Sequence, residues 1–136
     1  MNSYMLDTNI CSYIIHRRPE SVFRRMAEEV QAGSNIVISA IAYSELLYGA
    51  TKPKAPKRLK DMLNEFIGGI DSILPLSAEA VEMGAKIQQD LQRKGVQIGH
   101  NDSLIAGHAI ATNCICVTNN MREFARVPGL VLENWV

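Results

Sequence analysis

Five short apolar runs punctuate this chain, and helical stretches separate all of them. They are Tyr4–Leu6, Asn35–Ile38, Ser72–Leu74, Ile115–Val117 and Leu130–Leu132. Between them the spacing of apolar residues and the stop signals predict helices over 10–16, 20–32, 40–50, 55–67, 77–94 and 103–111, with a helical turn at 121–124. Ser39 and Ser77 stand where helix caps belong, and Gly33, Gly68-Gly69 and Gly95 stand where helices should stop. A chain that alternates strand and helix in this way folds as a mostly parallel sheet between helices, a three-layer α/β/α architecture. With 136 residues and no repeat or long linker, the whole of 1–136 is expected to form one domain.

No apolar run approaches the roughly 18–20 residues needed to cross a bilayer, and the N-terminus lacks the features of a secretory signal. Cys11, Cys114 and Cys116 lie in apolar surroundings and read as small core residues in a reducing, cytoplasmic setting. Net charge is zero, which argues against a general nucleic-acid coat. The distribution is uneven, however: residues 1–60 hold nine Lys/Arg and five Asp/Glu, and residues 61–136 hold five and nine.

In an open parallel sheet, ligands bind beyond the carboxyl ends of the strands. Asp7-Thr8-Asn9 follows the first strand, and Thr118-Asn119-Asn120 follows the fourth. Asp102 opens the helix that leads into that fourth strand. Either Asp7 or Asn9, and likewise Asn101 or Asp102, would also serve as an ordinary helix cap. Glu45 has no such explanation. It sits inside A-I-A-Y-S-E-L-L-Y-G-A, a helix apolar nearly all round, so the helix is expected to be largely buried. An ionised carboxylate is rarely buried there without a partner. Acids without Cys or His at ligand spacing select hard cations, Mg²⁺ or Mn²⁺. Carboxylate-held Mg²⁺ commonly serves phosphodiester hydrolysis.

Four motifs in order, M-L-D-T-N-I, S-E-L-L-Y-G-A, I-G-H-N-D-S-L-I-A-G-H-A and V-T-N-N-M-R-E-F, resemble those of PIN-domain ribonucleases, in particular the VapC toxins of VapBC toxin–antitoxin systems. The resemblance runs through to the V-P-G-L-V-L-E-N-W ending. It implies a PIN-like fold and a Mg²⁺-dependent (or Mn²⁺-dependent) endoribonuclease in which Asp7, Glu45 and Asp102 bind the metal and support catalysis. It implies an RNA substrate (tRNA), attack by a metal-activated water that leaves 5′-phosphate and 3′-hydroxyl ends, and inhibition by a VapB-type antitoxin. A homodimer, or a larger toxin–antitoxin assembly, is expected with it.

The family often carries a fourth acid where this chain has Asn120, so Glu123, one turn on, is the candidate to complete the set. Thr118 and Asn9 are candidates for hydrogen bonds that hold the acids. The exposed run T-K-P-K-A-P-K-R-L-K supplies Lys52, Lys54, Lys57 and Arg58 as weak candidates for RNA contact, a solubilising turn being the plainer reading. His108 is expected to be packed or on the surface, His100 to be a polar loop residue, and Trp135 to pack the chain end onto the domain. The helices of 10–30 and 55–68 carry more apolar residues than a small sheet needs, which suits a dimer face and an antitoxin groove.

Two other functions fit part of the pattern. A haloacid-dehalogenase-type phosphatase also places an Asp after its first strand, but it wants a second Asp two residues on, where this chain has Asn9. A PIN-like module that binds RNA or protein without catalysis is favoured only by Asn120, against three intact acids.

Overall fold

The computed structural model describes residues 1–136. The elements run β1 (Ser3–Leu6), α1 (Thr8–His16), α2 (Glu20–Gln31), β2 (Asn35–Ser39), α3 (Ala40–Thr51), α4 (Lys57–Gly69), β3 (Ser72–Leu74), α5 (Ala78–Arg93), α6 (His100–Ala111), β4 (Ile115–Val117), α7 (Met121–Phe124) and β5 (Leu132–Glu133). All five strands are parallel, in the order β3-β2-β1-β4-β5. The sheet is thus wholly parallel, where the sequence suggested mostly parallel. Right-handed crossovers then put α1–α4 on one face and α5–α6 on the other. No helix is long and apolar enough to cross a membrane.

The central strand explains its own sequence. β1 is covered on both faces, so Tyr4, Met5 and Leu6 are all buried and the strand shows no polar alternation. The chain runs forward from β1 to β2 and β3, then returns to β1's other side as β4. The reversal lies between β1 and β4, where Leu6 pairs with Val117. Asp7 leaves β1 with its backbone N–H on the Val117 carbonyl at 3.0 Å. Ligand sites in such sheets form at this switch point.

Several boundaries differ from the sequence reading for local reasons. α4 begins at Lys57 and runs through Gly68 and Gly69, which were expected to end it; Ile70 is the cap. α6 begins at His100, not Ser103, because Gly99 is its N-cap and makes no side-chain capping bond. Asp102 therefore stands inside the first turn and caps nothing. The last strand is Leu132–Glu133, shifted from 130–132, and its register follows the backbone bond from Thr118 to the Glu133 carbonyl. In α3 only Ala42 and Ala50 are fully buried, and Tyr48 is 73% exposed, so that helix is far less covered than its apolar sequence suggests.

α5 and α6 make the tightest pairing in the fold. α5 buries Ala80, Gly84, Ile87 and Leu91, a stripe at helical spacing, against an α6 whose residues 105–109 are all buried. At the crossing Gly107 meets Gly84. A Cβ on Gly107 would lie 2.4 Å from the Gly84 nitrogen and 2.8 Å from its Cα.

The three cysteines are buried and free, as expected of core residues. Burial pushes the Cys11 and Cys116 thiols well up, with the nearby Asp7 carboxylate adding to the shift, so neither is a ready thiolate ligand. Trp135 is buried at the chain end. It packs edge-on against Tyr4 at 5.3 Å, lies under the Arg25 guanidinium at 5.4 Å, and donates to Glu133 Oε1. Arg25 also bridges Glu29 and Glu133, which ties the C-terminal segment to α2.

His108 is buried, 1% exposed, with Nδ1 2.9 Å from the Ser39 hydroxyl that caps α3. Burial lowers its pKa, against an opposing hydrogen bond to the Pro75 backbone. The folded protein therefore keeps His108 neutral where the unfolded chain, titrating near 6.5, takes up a proton. The linked stability is complete above about pH 7 and is lost as pH falls below about 6.5. Comparing wild type with His108→Gln by urea denaturation should show wild type losing part of its relative advantage between pH 7.5 and 5.5. A difference independent of pH would contradict a neutral His108.

Candidate active site

Asp7 is both a helix cap and a member of the site. Its Oδ1 accepts the Ile10 N–H at 2.9 Å, capping α1, and its Oδ2 accepts the Thr118 hydroxyl at 2.5 Å. The residue is 4% exposed. Burial raises its pKa most, the Thr118 and Ile10 hydrogen bonds pull it back, and the Glu45 charge raises it again. One oxygen thus caps α1 while the other is bound by Thr118, so the capping role does not take Asp7 out of the acid cluster.

Glu45 reaches the same place from α3. The Thr8 hydroxyl donates to Glu45 Oε1 at 2.6 Å, joining the first turn of α1 to the middle of α3. The sequence assigned Asn9 to this kind of duty, and the structure corrects that. Asn9 is exposed and its side chain makes no hydrogen bond; with the helix starting at Thr8, it is Thr8 that turns toward Glu45. Thr8 looked merely like the middle of a polar triplet, and only the helix phase singles it out. Thr8→Val keeps the shape and removes the donor. If Glu45 serves the RNA cleavage that the sequence resemblance implies, the change should lower that activity about ten- to a hundredfold, the usual loss for a partner that orients a ligand, and leave the melting temperature within a few degrees. An unchanged rate would remove Thr8 from the site.

Asp102 and Glu123 complete the group. Asp102 lies half-buried in the first turn of α6, against Gly99, where an added Cβ would stand 3.4 Å from Asp102 Oδ2. Its carboxyl is pushed up to about 6, first by burial, then by the charge of Glu123 and a hydrogen bond shared with it, then by Asp7 and Glu45. Four acids from four separate elements thus feel one another at the carboxyl edge of the sheet. None of them pairs with a Lys or Arg; every salt bridge in the structure uses other acids.

Thr118 is fully buried and holds Asp7 Oδ2 through its hydroxyl. Asn120 does not pair with Asp7 or Glu45; its Nδ2 donates to Glu123 Oε2 at 3.0 Å. His100, exposed on the first turn of α6, lies 3.3 Å from Gln88 and has no bond to the acids.

Whether these residues suit a divalent cation can be judged from their chemistry. All four donors are carboxylates, they carry no internal counter-charge, and burial together with mutual repulsion raises the pKa of Asp7 and Asp102. A hard dication relieves that arrangement and a neutral ligand does not. As placed, no three His, Cys, Asp or Glu side chains stand close enough together to enclose an ion, so the set converges without forming a closed cage.

The basic turn makes no bond to this cluster. Lys52, Lys54, Lys57 and Arg58 are all exposed, none is in an ion pair, and no hydrogen bond links them to the acids. On another face, α1, α2 and α4 enclose an apolar groove of about 510 Å³ lined by Ile14, Phe23, Met26, Val30, Met62 and Phe66 among others, with Arg17 and Glu65 at its polar margin. This is the surplus apolar surface that the sequence placed on these helices. Ile14, Met26 and Phe66 belong at the same time to the buried core and form the groove's floor, and Val22 and Leu63 from the same stretches lie wholly within the core.

A family model described as the PIN domain matches residues 4–130. Ribonuclease VapC2 of Rickettsia felis is 42% identical over 132 residues, 97% of each chain. The tRNA(fMet)-specific endonuclease VapC of Salmonella typhimurium is 38% identical over 135 residues, 99% of each chain. Among solved structures, VapBC2 from Rickettsia felis bound to a DNA fragment from its promoter matches with a TM-score of 0.89 and 40% identity, over 98% of this chain and 99% of that one. DNA-bound VapBC from Salmonella typhimurium matches with a TM-score of 0.88 and 38% identity over the whole of both chains.

Proposed function

Since the chain belongs to the PIN-domain family, among its VapC ribonucleases, we propose that Asp7, Glu45, Asp102 and Glu123 hold Mg²⁺ or Mn²⁺ and hydrolyse RNA at the β1/β4 edge. The observation that carries this is the convergence of four acids with no cation of their own, two of them with raised pKa values. A divalent ion bound there lowers the pKa of a water and offsets charge at the scissile phosphate. The chain's own residues supply placement. Thr118 and the Ile10 N–H fix Asp7, Thr8 fixes Glu45, and the first turn of α6 presents Asp102.

The substrate is tRNA in this reading, supported by the tRNA(fMet) specificity in the name of the Salmonella relative. Lys57 and Arg58 give a further reason to expect an anionic partner. They occupy the first turn of α4, where no acid is present and where the helix dipole already favours negative charge. A polyanion beside that turn offsets the local excess of positive charge. The apolar groove between α1, α2 and α4 suits an amphipathic segment of a VapB-type antitoxin. The weakly covered face of α3, with Tyr48 exposed, suits a second copy of the chain.

End analysis of the RNA products tests the chemistry. Hydrolysis by water leaves 5′-phosphate and 3′-hydroxyl ends on discrete tRNA fragments. Fragments ending in a 2′,3′-cyclic phosphate would show attack by the ribose hydroxyl and overturn the reading. Intact RNA that stays bound would instead make the chain a binding module.

A further inference from the structure

Asn120 precedes α7 at the position where a side chain usually caps a helix, and Asn is among the strongest capping residues. With Glu123 three residues later, the sequence N-M-R-E has the form of a capping box. The structure uses neither half of that device. The Asn120 side chain makes no capping bond, and its backbone N–H goes to the Thr118 hydroxyl at 2.9 Å. Its amide nitrogen is turned to Glu123 Oε2 at 3.0 Å. Thr118 in turn donates to Asp7 Oδ2. One continuous chain of hydrogen bonds therefore runs from Asp7 through Thr118 and Asn120 to Glu123, the group whose charge most raises Asp102.

Only a donor can make the last of these bonds. An Asp at this position has no N–H to offer, and its charge would lie about 3 Å from the Glu123 carboxylate, where like charges repel. The residue that looks like a lost acid is thus the one that allows its neighbour to be the acid.

We propose that Asn120 is a positioning residue: its side-chain amide holds the Glu123 carboxylate in the acid cluster, while its backbone N–H anchors the residue through Thr118 to Asp7. This rests on the metal-nuclease reading above. It implies that an acid at position 120 works against the site.

Titrating the full chain with Mn²⁺, followed calorimetrically and by the electron paramagnetic resonance of free Mn²⁺, tests it apart from activity. Asn120→Ala should weaken Mn²⁺ binding about tenfold. Glu123→Gln should weaken it at least as much, and the double variant should bind no more weakly than Glu123→Gln alone, because Asn120 acts only through Glu123. Asn120→Asp adds a charge that simple attraction would turn into tighter binding; it should bind no tighter than wild type. Tighter binding by Asn120→Asp, or losses in Asn120→Ala and Glu123→Gln that add in the double variant, would overturn the proposal while leaving the metal site standing. Absence of saturable Mn²⁺ binding by wild type would overturn both.

Discussion

Asp102→Asn is expected to move activity and stability in opposite directions. Cleavage should fall at least roughly a thousandfold, more than the ten- to hundredfold typical of a residue that only orients a ligand. Yet the metal-free protein should become more stable at neutral pH. The Asp102 carboxyl is held at about 6 where an unperturbed one titrates near 3.8, first by burial and then by Glu123, Asp7 and Glu45. Its charged form is therefore disfavoured in the folded state. The cost is full above pH 6 and is relieved as pH falls from about 6 toward 3.8 and the folded carboxyl takes up its proton. That gap corresponds to about 3 kcal/mol, and the partial exposure of the residue reduces it to about 1–2 kcal/mol. In EDTA at pH 7.5, urea denaturation should show Asp102→Asn more stable than wild type, with the gain vanishing by about pH 4. Equal stability at both pH values would mean that the acids do not strain the metal-free fold.

Gly107→Ala is expected to cause the largest loss of stability of any glycine-to-alanine change in this chain. The added carbon would meet Gly84 backbone at 2.4 and 2.8 Å and the Ala80 carbonyl at 3.0 Å, and backbone cannot step aside as a side-chain tip can. α5 and α6 must separate, opening a seam lined by Ile87 and Leu91. Overpacking of this kind costs about 3 kcal/mol. Gly84→Ala is the milder control, since its Cβ meets Leu104 and the Ser103 carbonyl at 3.1 Å. Because α6 carries Asp102, Gly107→Ala should also lower activity as it unfolds. A loss under about 0.5 kcal/mol would show that the helices do not approach so closely.

The sequence revealed the architecture because strand and helix periods differ and alternate cleanly along this chain. It also placed Asp7, Glu45 and Asp102 near one sheet edge, since two of them follow strand ends or open a helix there and Glu45 had no capping role to explain it. What it missed depended on helix phase and on start points. Whether Thr8 or Asn9 faces Glu45 is decided by α1 beginning at Thr8, and whether Asp102 caps α6 is decided by Gly99 doing so instead. Neither turns on composition. Glu45's helix read as buried because apolar residues carry the same signal whether they face a core or an open surface. Gly68 and Gly69 read as a stop, but α4 continues through them to Ile70. The Asn120–Glu123 bond has the sequence form of a capping box and was visible only as a missing acid.

The central claim is that RNA cleavage is done by a divalent ion held by these acids, and one experiment bears on it most directly. Purified wild type and Asp7→Asn are each incubated with tRNA in Mg²⁺, then in EDTA, then with Mg²⁺ restored. Asn at position 7 keeps an oxygen for the Ile10 N–H, so α1 stays capped and the fold is preserved. Wild type should cut discretely, stop in EDTA and resume when Mg²⁺ returns, while Asp7→Asn should remain folded and inactive throughout. Cleavage that persists in EDTA, or that survives in Asp7→Asn, would contradict the account.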